Sequence, residues 1–153
     1  MRPGAFSQSG FLGERERLED VLAADALTLG ELGLTAAELA APLDRLIDAA
    51  ERARGRSARV DGRFEIRVEV FTGFQICPWA ESPHSGQCTA GGGARHASVE
   101  WRLRNLATGE LLSGPGLIVH LIEAHGFFEG IDSPHRVDPR SLARVLELSP
   151  LAS

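Results

Sequence analysis

Four side chains in this chain have metal-ligand chemistry at a suggestive spacing: Cys77, Cys88, His120 and His125. The two thiols are the only cysteines in 153 residues, and they lie in a loop dense in proline and glycine. The histidines follow a hairpin and sit in Gly114-Pro-Gly-Leu-Ile-Val-His-Leu-Ile-Glu-Ala-His-Gly126, which has the pattern of a short helix closed by glycine. Thiolate and imidazole are the donors that zinc takes in closed tetrahedral sites, and four residues separate the histidines, inside the three to five of known motifs. The ten residues between the cysteines exceed the usual two to four. Apart from Trp79 that loop has little to bury, so a metal clip would take the place of a core.

Helical geometry adds a condition. Positions 120 and 125 differ by about 140° of rotation at 3.6 residues per turn, so they share no face of an ideal helix. Both reach one ion only if His125 sits in a distorted last turn, which Gly126 as a helix-ending residue permits. Cysteines first and a histidine helix second resembles zinc fingers in ligand order alone. His84, His96 and His135 are substitutes for any missing ligand. The alternatives are unconnected thiols or a disulfide, with His120 a buried core histidine and His125 an exposed residue favoured by the helix dipole.

An open site is the catalytic variant: a metal-dependent hydrolase using His120 and His125 with Glu123 as general base. The run His120-Leu-Ile-Glu123-Ala-His125 matches neither His-Glu-x-x-His nor His-x-x-Glu-His, and four protein ligands leave no position for activated water. Ser113-Gly-Pro-Gly116 reads as a turn rather than an anion cradle, having no Walker lysine and one amide removed by Pro115. No local signature makes Cys77 a nucleophile.

These residues need elements to hold them. Residues 1–12 read as a flexible arm, with Phe6 and Phe11 as its apolar contacts. Residues 13–55 read as a helical hairpin: a first helix over Glu14–Leu27, then a second opened by the capping box Thr35-Ala-Ala-Glu38. Leu39, Leu43, Leu46, Ile47 and Ala50 form its apolar stripe, while Asp44, Arg45, Asp48, Glu51 and Arg52 fall on the wet side. Thr28-Leu-Gly-Glu31 has the same capping spacing, and Pro42 predicts a kink or a fresh first turn.

Residues 56–153 read as an α+β unit, compact with the hairpin. Phe64-Glu-Ile-Arg-Val-Glu-Val70 alternates throughout, predicting a strand with Phe64, Ile66, Val68 and Val70 inward. Val99-Glu-Trp-Arg-Leu103 is a second strand, and Glu110–Leu112 returns after the turn residues Asn105–Gly109. The connections are too short for helical crossovers, so the sheet of three or four strands is antiparallel. Asp138-Pro139 starts a C-terminal helix.

Composition limits the function classes. No apolar stretch has the length of a membrane helix, and the N-terminus lacks the apolar core of a secretory signal, so the expected location is cytoplasmic. Net charge is −5, and all 16 basic residues are arginine. Leu-Gly-Leu-Thr-Ala-Ala-Glu-Leu39 resembles the turn and second helix of bacterial regulators, a helix-turn-helix variant that would bind DNA. From Glu14 to Arg54, however, ten acids face five arginines, the wrong sign for phosphate. The leading expectation is a small zinc-stabilised, non-enzymatic interaction or adaptor protein. Its partner, or a second copy, would dock on the helices of residues 14–54 or on Phe127 and Phe128, two large apolar residues in a turn whose other reading is as core anchors.

Overall fold

The computed structural model describes residues 11–71, 75–79, 88 and 95–148. The elements run α1 (Leu18–Leu32), α2 (Ala36–Arg52), β1 (Ala58–Val60), β2 (Phe64–Val70), β3 (Val99–Asn105), β4 (Leu111–Pro115), α3 (Ile118–His125) and α4 (Pro139–Val145). The fold is α+β, with one antiparallel sheet in the order β1-β2-β3-β4. Each strand joins its sequence neighbour; short turns link β1 to β2 and β3 to β4, while the long segment carrying both cysteines links β2 to β3.

Alternation sets the sheet's two faces. Ile66, Val68, Trp101 and Leu103 enter the core, while Arg67, Glu69, Glu100, Arg102 and Arg104 face out. Val70 departs from the expected pattern: at the end of β2 it is 76% exposed, although its cross-strand partner Val99 is buried. β1 has only three residues, in an arginine-rich polar stretch with no alternation to mark it. β4 runs further than expected and takes in Gly114 and Pro115, so Ser113–Pro115 is strand and the turn begins only at Gly116. Gly114 lies against Trp101 and Val137, where a Cβ would collide, and Trp101 donates its indole N–H to the Pro115 carbonyl at 2.9 Å.

The helices pack on the inner face. α2 forms as its capping box dictates: the Glu38 amide donates to Thr35 Oγ1 at 3.1 Å, and the Thr35 amide donates to Glu38 at 3.0 Å. Its stripe of Leu39, Leu43, Leu46, Ile47 and Ala50 is buried, and the helix runs on through Pro42 without a fresh start. Burial of that stripe holds it together despite the backbone bond that proline removes. α1 starts and ends later than the sequence suggested. Thr28 lies inside it, bonding back to the Ala24 carbonyl instead of capping, and Gly33 closes it at φ +68°.

The end of the N-terminal arm and the loop after α3 both contribute to the core. Phe11 and Leu12 are buried, and the Phe11 carbonyl accepts from the Gly130 amide at 2.6 Å. The rest of the arm, Phe6 included, lies outside the described residues. Phe127 and Phe128 are both 0% exposed, which removes them as a docking patch. The loop after α3 is tied to α1 by the two-pronged Arg136–Asp25 pair at 2.7 and 3.0 Å. α4 begins as its sequence indicates, with Asp138 as cap and Pro139 in the first turn. Among the described residues, no helix is long and apolar enough to cross a membrane.

Candidate metal centre

Packing places the histidine helix first. Leu117, Ile118, Leu121, Ile122 and Phe127 are fully buried, which fixes α3 against α2. At its start, Gly116 meets the His96 carbonyl so closely that a Cβ would clash, and its amide donates to the Val99 carbonyl at 2.8 Å. At its end, Gly126 adopts φ +61° and donates to the Ile122 carbonyl. His125 is therefore the last helical residue, and the left-handed glycine after it ends the helix within the same turn.

On the other side, the Gln75 amide donates to the Ala97 carbonyl at 3.0 Å, which lays residues 75–77 beside the approach to β3. That brings Cys77 over α3. Cys88 returns to the same point, although the loop around it lies outside the described residues.

The four groups meet. His125 Nε2 lies 3.4 Å from Cys77 Sγ and 3.2 Å from Cys88 Sγ, and His120 Nε2 lies 3.3 Å from Cys77 Sγ. All four ligand atoms fall within 4.8 Å of one another. A tetrahedral ion with metal–sulfur bonds of about 2.3 Å and metal–nitrogen bonds of about 2.0–2.1 Å separates its S and N ligands by about 3.6 Å. The observed edges are a few tenths of an ångström shorter, so the groups can hold a divalent ion with a slight outward adjustment. Neither cysteine is in a disulfide, so no such bond competes for the sulfurs.

The surroundings suit ligands that lose their protons to a cation. Burial pushes the Cys77 thiol up to about 12; the Trp79 backbone N–H opposes this, and the neighbouring Cys88 adds to it. Burial also holds His120 and His125 below the usual imidazole value, with each ring's nitrogen open for coordination; the proximity of His120 adds to the effect at His125. Without a cation, burial favours the neutral thiol of Cys77 and the neutral imidazoles of His120 and His125. A divalent ion reverses the balance for the thiols and stabilises the thiolates. Trp79 stacks on His125 at 4.0 Å and 12° and meets Phe127 edge-on, so the ring is held by an aromatic wall.

The remaining candidates lie elsewhere. Glu123 is exposed on α3 and stands outside the four-residue cluster. His135 is exposed in the loop before α4, and His84 lies outside the described residues. His96 belongs to a second cluster that the sequence did not reveal. Its buried ring is clasped by α2: Nδ1 contacts Glu51, and Nε2 lies 2.9 Å from Asp44 and 3.8 Å from Asp48. Arg95 binds Asp44 and Asp48 at 2.7 and 2.6 Å, so a guanidinium already neutralises those carboxylates. The wet side of α2 thus clamps the segment that enters β3. Spacing along the chain could not show this, because the partners stand 45 to 52 positions apart.

Compared with protein-family models, curated proteins and solved structures, the chain gives no match, so its own geometry is what bears on its function.

Proposed function

We propose that this chain is a small interaction or adaptor module whose loop and histidine helix are tied by a structural zinc ion on Cys77, Cys88, His120 and His125. The observation that carries the reading is His125 Nε2 standing 3.4 and 3.2 Å from the two cysteine sulfurs, within a buried set of four donors. Two thiolates and two imidazoles complete the tetrahedron that zinc prefers and leave no position for a reacting water. The ion's task is then cohesion: it joins a polar loop with little to bury to a helix anchored in the core. A partner would use exposed surface of the helices within residues 14–54, where Leu27 is 67% exposed.

The test is metal content together with melting. Purified protein should carry one equivalent of zinc, and a strong chelator should lower its melting temperature. Cys77→Ser should reproduce that loss and no longer respond to the chelator. Zinc-free protein whose melting is unchanged by chelation would refute the site. A folded Glu123→Gln variant that lost a hydrolytic activity would refute the non-enzymatic role.

A further inference from the structure

The outer face of the sheet carries a charge pattern that the chain leaves unresolved. α2 and α4 pack on the sheet's core face, and on the other face Arg67, Glu69, Glu100, Arg102, Arg104 and Leu111 are exposed. The register sets like against like in two successive rows: Arg67 is opposite Arg102, and Glu69 is opposite Glu100. Directly opposed like charges destabilise a strand pair. None of these four has an ion pair among the described residues, whereas Glu65 in the next row is bridged by Arg59 at 3.8 Å. A shallow groove of about 250 Å³ lies over this face, lined in part by Arg67, Arg102, Arg104 and Leu111.

We infer that this face binds a second copy of the same chain, sheet against sheet, about a twofold axis. An axis running across the strands between the two rows turns the partner sheet over and reverses its strands. Each arginine row then faces the glutamate row of the other copy: Arg67 over Glu69 and Arg102 over Glu100, each occurring twice. The contact is isologous and closes at the dimer. Arginine and glutamate side chains are long enough to meet across the ~10 Å between stacked sheets. A cationic partner would be repelled by the arginine row and an anionic one by the glutamate row. A copy of the same face satisfies both.

The interface is small. Four strands spaced about 4.8 Å apart and up to about 23 Å long bury on the order of 800 Å² in total. That is below the ~1,200 Å² of standard stable interfaces, so the dimer is weak and dissociates in salt.

The test uses sedimentation equilibrium of the full zinc-loaded chain up to about 0.5 mM, a range that reaches weak affinities. Wild type should dimerise at low ionic strength and dissociate as salt is raised. R67E/R102E and E69R/E100R, each with unchanged circular dichroism, should each dimerise roughly 30- to 100-fold more weakly. An equimolar mixture of the two should form heterodimers, and the fourfold swap R67E/E69R/E100R/R102E should dimerise like wild type. A wild type that stays monomeric at low salt overturns the inference. So does a dimer indifferent to these reversals, which would place its interface elsewhere. Wild type monomeric but retained on a polyanion column, with R67E/R102E not retained, would identify an anionic occupant instead.

Discussion

Glu129 gives the most quantitative handle on this fold. It is 0% exposed, in the loop that follows the histidine helix, with its backbone at φ +68°. The Ser133 hydroxyl donates to one carboxylate oxygen at 2.9 Å, and the other oxygen has no hydrogen-bond partner. Burial raises its pKa to about 8 from an ordinary value of 4.5, against the smaller opposing effect of Ser133. The folded state therefore keeps a proton that the unfolded chain releases. Between those values, stability falls as pH rises, by about 1.4 kcal/mol per pH unit, and the loss is complete above about pH 8. Over the whole window it amounts to something on the order of 5 kcal/mol.

Glu129→Gln keeps the shape and removes the titration, while its buried amide costs about 1–3 kcal/mol. The variant should therefore be the less stable protein near pH 5 and the more stable one near pH 8. Urea unfolding of both at pH 5, 6, 7 and 8, with zinc held constant, measures the difference. Using the difference cancels any pH dependence that both share, that of the proposed metal site included. A wild-type-minus-variant difference that is level from pH 5 to 8 would refute the reasoning.

Two further substitutions test how the site is positioned. Gly116→Ala forces a Cβ into the His96 carbonyl and should cost more than about 3 kcal/mol, read as a lowered urea midpoint. Asn105→Ala should cost about 2–4 kcal/mol in the same assay. Asn105 is fully buried, donates to the Val145 carbonyl at 2.9 Å, and accepts from the amides of residues 107 and 108 at 2.9 and 3.1 Å, so its loss leaves buried groups unpaired.

The parts legible in the sequence were those governed by local rules. β2 and β3 follow from alternation, α2 from its capping box and stripe, and α4 from Asp138-Pro139, because each pattern acts within a few residues. The convergence of Cys77, Cys88, His120 and His125 was legible from donor chemistry and from a geometric condition: a helix ending at Gly126. β1 was missed because three residues at a sheet edge give no periodicity. The clasp of His96 by Asp44, Asp48 and Glu51 was missed because tertiary folding alone brings those groups together. Phe127 and Phe128 take the core role that two large apolar residues in a turn suggest, and the loop holding them is pinned by Arg136 and Asp25, partners 111 positions apart.

The central claim is that one ion joins the loop to the helix through two sulfurs and two nitrogens, and X-ray absorption at the zinc edge reads those donors directly. The purified protein should show two sulfurs at about 2.3 Å and two imidazole nitrogens at about 2.0–2.1 Å, with one sulfur lost in Cys88→Ser. Absence of a zinc edge, or a shell of oxygen and nitrogen without sulfur, would contradict it.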